Sequence, residues 1–308
     1  MNDHVTISTF QMFEMFPTQE HARVYLESRL WPNGPQCPVC GLGERVTVRK
    51  GGYYRCNQCS EDFTVRTGTI FERSHIPLHK WIYAMYLVVT ARKGVSSLQL
   101  SKEIGVTQKS AWFMLHRLRE ACGGNFKKLK GIIEIDETYV GGKERNKHER
   151  DKLRLGRGTI SKTPVVAMRE RGKGGRTVAM VADEIDLPTV YNAIYKHVEQ
   201  GSEIHTDDAP IYDQLGGLFF NHATVNHTMK EYSRDGVTTN SVESVFAVLK
   251  RGIIGTFHHI SRKHTGRYVD EFAFRLNEGN CVIHTLDRLD SFIRGAARKR
   301  LTYKALTA

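Results

Sequence analysis

Cys37-Pro38-Val39-Cys40 and Cys56-Asn57-Gln58-Cys59 are two Cys-x-x-Cys turns separated by fifteen residues. That spacing leaves the intervening chain few options. Each pair clamps from a tight turn on a β-hairpin, and together they bring four thiolates to one tetrahedral zinc ion. A piece of ~40 residues has too little core to fold alone, so the metal is expected to supply much of its stability. Four thiolates leave zinc no open position, which makes the site structural. The stretches Arg45-Val46-Thr47-Val48 and Tyr53-Tyr54-Arg55 alternate as strands do. Cys122 and Cys281 stand apart, and both are expected to be buried free thiols.

The chain has 308 residues, enough for two or three domains, and a net charge of +12. Such an excess favours a polyanionic partner, with nucleic acid the first candidate. Met1 to Phe16 mixes polar and aromatic residues, unlike a secretory signal. The longest apolar stretch, Trp81 to Ala91, is about half of a membrane span. A soluble cytoplasmic protein with no membrane partner is therefore expected, where cysteines serve as thiols or metal ligands.

Composition shifts divide the chain into five parts. Residues 1–30 read as an N-terminal helical segment, 31–73 as the zinc ribbon and 74–125 as a helical DNA-binding region. Residues 126–285 are expected to form a catalytic domain and 286–308 a basic, helical tail. Helices are expected at Pro77–Thr90, Ser96 to about Glu120, Leu187–Glu199 and from Asn240 onward. Strands are expected at Gly131–Asp136, Pro164–Arg169, Thr177–Ala182, Glu203–Asp207 and Ala223–Val225. A basic connector, Lys143 to Lys162, carries eight Lys/Arg against three acids. The order of strands and helices matches a ribonuclease-H-like α/β core with a mixed sheet, preceded by the ribbon and a helix-turn-helix.

Within the helical region, Ser97 to Trp112 reads as two short helices around Gly105. Thr107 can N-cap the second, Gln108 to about Arg119. Leu98, Ile104, Val106, Trp112 and Leu115 would form its small core. Gln108, Lys109 and Ser110, with His116, Arg117 and Arg119 further along, would face a groove or phosphates. A plain helical hairpin is the competing interpretation.

Three acids carry the chemistry. Asp136 and Asp207 are each placed at a strand end, and Glu243 lies on the helix after Asn240, with 35 residues between it and Asp207. Lys250 follows Glu243 by seven residues, two turns along the same stripe. Val242, Val245, Phe246 and Leu249 form the helix's apolar face. Three carboxylates so placed can hold a pair of divalent metal ions such as Mg²⁺, and such a pair can cut and rejoin a phosphodiester. Lys250 would meet a phosphate as a point charge. Asn240 can be a ligand through its amide oxygen or can cap the helix. Asp208 is expected on the opposite face from Asp207, and Glu134 and Glu137 are expected to face away from Asp136.

Three stretches together resemble the DDE transposases of bacterial insertion sequences. They are Ile135-Asp136-Glu137-Thr138-Tyr139-Val140-Gly141-Gly142-Lys143, His205-Thr206-Asp207, and Thr239-Asn240-Ser241-Val242-Glu243 through Lys250-Arg251-Gly252. More narrowly, they resemble the zinc-ribbon, ISXO2-like group related to Merlin elements. Gly255 to Ser261 and Tyr268 to Asn277 are similar to that group's closing segment. The resemblance implies binding of terminal inverted repeats and metal-dependent cleavage and strand transfer, by a protein that multimerises on DNA. It assigns catalysis to Asp136, Asp207 and Glu243 with Lys250 assisting, and it leaves Asn240 open because the group varies between Glu and Asn at the third position. His258 and His259 are expected to pack against the sheet. A catalytically inactive DNA-binding descendant and a structure-selective nuclease are the competing functions.

Overall fold

A computed structural model describes residues 6–124, 127–142, 148–152, 159, 162–213, 215, 221–226, 233–278 and 283–308. Cys281 and most of the basic connector lie outside the described residues. The chain divides into two compact units, Met1–Gly124 with Glu278–Ala308, and Asn125–Asn277.

The first unit opens with α1 (Thr9–Met15) and α2 (Gln19–Leu30). Ser8 and Gln11 form a reciprocal capping box on α1, and Thr18 caps α2. Strands β1 (Val46–Arg49), β2 (Tyr53–Cys56) and β3 (Asp62–Phe63) make a small antiparallel sheet in that order. Its core is Trp31, Tyr54 and Phe63, with ring centroids 5.2–5.8 Å apart. Helices α3 (Leu78–Thr90), α4 (Ser97–Ile104) and α5 (Gln108–Cys122) follow. The α4–α5 turn needs Gly105, whose φ of +62° sits in the left-handed region. Thr107 caps α5 by accepting the Ser110 N–H, as its sequence position predicts.

The small core expected around this turn is only partly realised. Ile104 and Leu115 are buried, but Leu98 is 57% exposed, and Leu100 takes the interior position on α4. Cys122 is buried, in no disulfide, and its thiol donates to the Leu118 carbonyl.

The second unit holds a five-stranded mixed sheet. Strands β4 (Ile132–Val140), β5 (Thr163–Glu170) and β6 (Thr177–Val181) are followed by α6 (Leu187–His197), β7 (Glu203–Asp207) and β8 (Asn221–Val225). The order across the sheet is β6-β5-β4-β7-β8, antiparallel from β6 to β4 and parallel from β4 to β8. Helices α7 (Asn240–Gly252) and α8 (Thr265–Glu278) cover one face, and α6 covers the other.

Alternation along β4 sends Ile133 and Ile135 to the α6 side, against Val166, Met168, Val190 and Ile194. Val140 on the other face meets Val242, Val245, Phe246 and Leu249 of α7, the stripe that the i, i+3, i+4, i+7 spacing predicts. Asn277 closes the edge of this sheet. Its side chain accepts the Thr177 N–H at 2.7 Å and donates to the Thr177 carbonyl at 2.8 Å, standing in for a further strand.

The tail does not stand apart. Its α9 (Thr285–Ala296) buries Leu289, Phe292, Ile293 and Ala296 completely and belongs to the first unit, as does the short α10 (Tyr303–Thr307). A Cβ on Gly295 would lie 2.4 Å from the Ala121 carbonyl oxygen, so only glycine allows α9 to approach the end of α5 this closely. The tail is basic in composition, but its i, i+3, i+4, i+7 apolar set at 289, 292, 293 and 296 makes it a core helix. No helix among the described residues is long and apolar enough to cross a membrane.

Candidate active site and zinc site

The four cysteines meet. All four sulfurs lie within 4.8 Å of one another, with Cys37 and Cys59 at 3.6 Å and Cys40 and Cys56 at 3.6 Å. Those separations suit the edges of a tetrahedron with zinc–sulfur bonds of about 2.3 Å. The backbone N–H groups of Cys59 and Gln58 point at the Cys56 sulfur and lower its thiol, while burial and the neighbouring sulfurs push the Cys59 thiol up. A thiolate prepared by amides in a tight turn is what a cation-binding knuckle requires. The donor set fits one structural zinc.

Asp136 differs from its expected place. β4 does not end there but runs four residues further to Val140, because β5 pairs with it as far as Val140↔Thr163. On the other side the parallel pairing to β7 reaches only Glu134↔His205. Extending that register by two residues sets Asp136 level with Asp207, the last residue of β7. Both project to the sheet face that carries α7, since Ile133, Ile135 and Ile204 occupy the α6 face. A crevice beyond the ends of parallel strands is where open α/β sheets place their sites.

Glu243 lies in the first turn of α7, on its exposed side, with Lys250 exposed two turns on. Burial pushes the Asp136 carboxyl up to about 7. The Glu137 N–H opposes that rise, and the negative charges of Glu137, Asp207 and Glu243 add to it. The three acids thus share one electrostatic neighbourhood. They do not converge as tightly as the cysteines: among the described residues only the cysteine set has all its ligand atoms within 4.8 Å. Glu243 stands toward solvent.

Glu134 corrects the expectation most. Two residues from Asp136, it shares its face, as the period of two requires. It is 1% exposed, and its Oε2 accepts the N–H groups of Ser241 at 2.7 Å and Val242 at 3.1 Å, plus the Ser241 hydroxyl at 2.6 Å. This strand carboxylate therefore caps α7, whose own N-cap residue, Thr239, makes no side-chain cap bond. Asn240 does not cap the helix; it occupies the first helical position and is exposed. Glu137 points to the α6 side, where the Tyr212 hydroxyl donates to it. Asp208 is exposed, and His258 and His259 are exposed rather than packed on the sheet.

In the first unit, Gln108 and Lys109 are exposed at the start of α5 and Ser110 is half-buried. Gln108 donates to the Ser97 hydroxyl at 2.8 Å, and the Lys109 ammonium lies 4.9 Å from the ring centre of Tyr303 on α10. Arg117 and Arg119 do not face outward; they are 5% and 2% exposed, and His116 is fully buried. Arg117 donates to the Glu72 carbonyl and lies over the rings of Phe113 and Trp81. The cause is the company α5 keeps, since its C-terminal half is packed on more than one side and only its first turn reaches solvent.

A family description given as the ISXO2-like transposase domain matches residues 128–277, and one given as the transposase zinc-ribbon domain matches residues 17–62. A Halobacterium salinarum protein, named as an uncharacterized protein in transposable element ISH50, is 32% identical over 276 residues, covering 84% of this chain and 91% of its own. The chain belongs to the ISXO2-like transposase family. Among solved structures, a chain of the simian T-cell lymphotropic virus intasome in complex with PP2A regulatory subunit B56 gamma is 14% identical, with a TM-score of 0.30 and coverage of 63% of this chain and 65% of that one. A chain of the Mos1 strand transfer complex is 12% identical, with a TM-score of 0.22 and coverage of 65% and 76%. Likenesses this distant carry no weight for the site.

Proposed function

We propose that this protein binds the terminal inverted repeats of an insertion sequence, in the cytoplasm, and catalyses DNA cleavage and strand transfer. The observation that carries this reading is the placement of Asp136 level with Asp207 on one sheet face, with Glu243 and Lys250 on the helix covering that face. The sheet order and mixed polarity match a ribonuclease-H-like core. Asp136, Asp207 and Glu243 would hold two Mg²⁺ or Mn²⁺ ions, with Asn240, exposed one turn before Glu243, as a further oxygen donor. A bound ion pair would supply activation of a water or 3′-hydroxyl and charge stabilisation of the leaving oxygen.

The chain's own residues supply the rest. Their negative charge selects a cation, and β4 and β7 fix the spacing of the two aspartates. Lys250 offers a positive charge to the phosphate beside the scissile bond. Gln108, Lys109 and Ser110, at the start of the second helix of a helix-turn-helix, would meet DNA. The zinc ribbon stabilises the same unit. The resemblance to DDE transposases, which bring two element ends together, implies a multimer on DNA as the working form.

The test uses the full chain, a labelled duplex carrying the element's terminal repeat, and Mg²⁺. Strand transfer that disappears in Asp136→Asn, with end binding retained, is the expected result. Transfer unaffected by that change would remove the reading.

A further inference from the structure

Arg171 directly follows β5 and touches two of the elements that carry the acids, β4 and β7, and the segment that leads into the third, α7. Its Nε donates to Glu134 Oε1 on β4 at 3.0 Å. Its Nη2 donates to His205 Nδ1 on β7 at 3.0 Å and to the Thr238 carbonyl, just before α7, at 2.9 Å. Its Nη1 donates to the Gly236 carbonyl. Each contact sits one pleat or one short step from an acid. Glu134 is two residues before Asp136, His205 two before Asp207, and Thr238 five before Glu243. The Arg171 bond to Nδ1 leaves the His205 ring proton on Nε2, which donates to Glu203 at 2.7 Å. Glu134 completes the tie by holding the first amides of α7.

We propose that Arg171 and Glu134 are positioning residues that hold the two strands and the start of the helix carrying the three acids in one fixed relation. The inference rests on the transposase reading of the site. The planar fork is essential to it. A guanidinium donates in several fixed directions at once, whereas an ammonium is a point charge on a flexible stem. Charge at this position is therefore insufficient; the geometry of the donors ties β4, β7 and α7 together. Misplacing reacting groups by about 1 Å costs on the order of 100-fold in rate.

The test compares full-length wild type, Arg171→Lys, Glu134→Gln, Ser241→Ala and Asp136→Asn. Two measurements are made: hydrogen exchange of the α7 N-terminal amides without metal, and strand-transfer kcat and KM with Mg²⁺. Arg171→Lys is expected to exchange the Ser241 and Val242 amides about tenfold faster. Its kcat should fall by about 100-fold, with KM for the DNA end within about twofold. Glu134→Gln keeps one acceptor and should lie between. Ser241→Ala loses only the hydroxyl bond and should lose about threefold in kcat.

Arg171→Lys at wild-type kcat would overturn the proposal, because charge alone would then suffice. So would unchanged amide exchange. Should Arg171→Lys fail to fold, Glu134→Gln and Ser241→Ala decide: graded losses uphold the proposal, and wild-type values in both overturn it. Asp136→Asn separates the two claims. If it transfers strands like wild type, the transposase reading fails, while the exchange measurement still tests the tie.

Discussion

Asp136 and Asp207 stand level on neighbouring parallel strands, at the point where the β4–β7 ladder has already stopped. Two carboxylates so placed share a crevice open to a cation, and one of them is too buried to ionise easily. This has a consequence for stability. The Asp136 carboxyl rises from an ordinary value of 3.8 to about 7. Between those values the folded chain holds a proton that the unfolded chain does not. Stability of the metal-free protein should therefore fall as pH rises from about 4 to about 7, then level off. Asp136→Asn should flatten that fall, by up to a few kcal/mol, and divalent cation should raise the melting temperature of wild type more than that of the variant. Matched pH slopes in chelator-treated wild type and variant would remove the buried-acid account.

Zinc should be present at about one ion per chain in protein purified without chelator, and Cys37→Ser should lose it. The four sulfurs are already gathered, so the ribbon has little but the metal and three aromatic rings to hold it. Metal analysis by atomic absorption, read beside limited proteolysis between residues 31 and 73, checks both points.

Lys109 and Arg117 should behave differently although both lie on α5. Lys109→Ala should weaken end binding and reduce the slope of log affinity against log salt by about 1, as loss of one phosphate contact requires. Arg117→Ala should leave that slope unchanged and lower stability by about 1–3 kcal/mol, because the Glu72 carbonyl loses its donor. Salt titrations of DNA binding and urea melts of the two variants make the comparison. Equal salt slopes for wild type and Lys109→Ala would show that the first turn of α5 does not meet phosphate.

Asn277→Ala should cost about 1–3 kcal/mol, since two backbone groups of the edge strand lose their partner together. The edge then lies open to another chain, so the variant should also aggregate more readily at high concentration. Equilibrium unfolding and light scattering are the measurements.

The cysteines and the apolar stripe of α7 were legible because each is written in local spacing. The end of β4 was not, because pairing with β5 carries that strand past Asp136 to Val140, whereas the even offset of Glu134 from Asp136 does put the two on one face. Arg171 was not legible either. It sits next to a Gly-Lys-Gly-Gly turn among other basic residues, and nothing in the local pattern marks it as the donor to three distant elements. The burial of Arg117 and Arg119 was hidden for a related reason. Helical period shows which residues share a stripe, not how many neighbours will cover the helix, and α9 arrives from more than 160 residues away. The tail's basic composition masked its four apolar positions in the same way.

The interleaving of the two units sets an order on synthesis. Translation delivers Asn125–Asn277 in full while α9, which fills the interior of the first unit, is still to be made. The sheet with its acids can therefore close before the N-terminal half finds its last helix. A ribosome halted near residue 278 would release a chain with its five-stranded half finished and an uncapped core at its head.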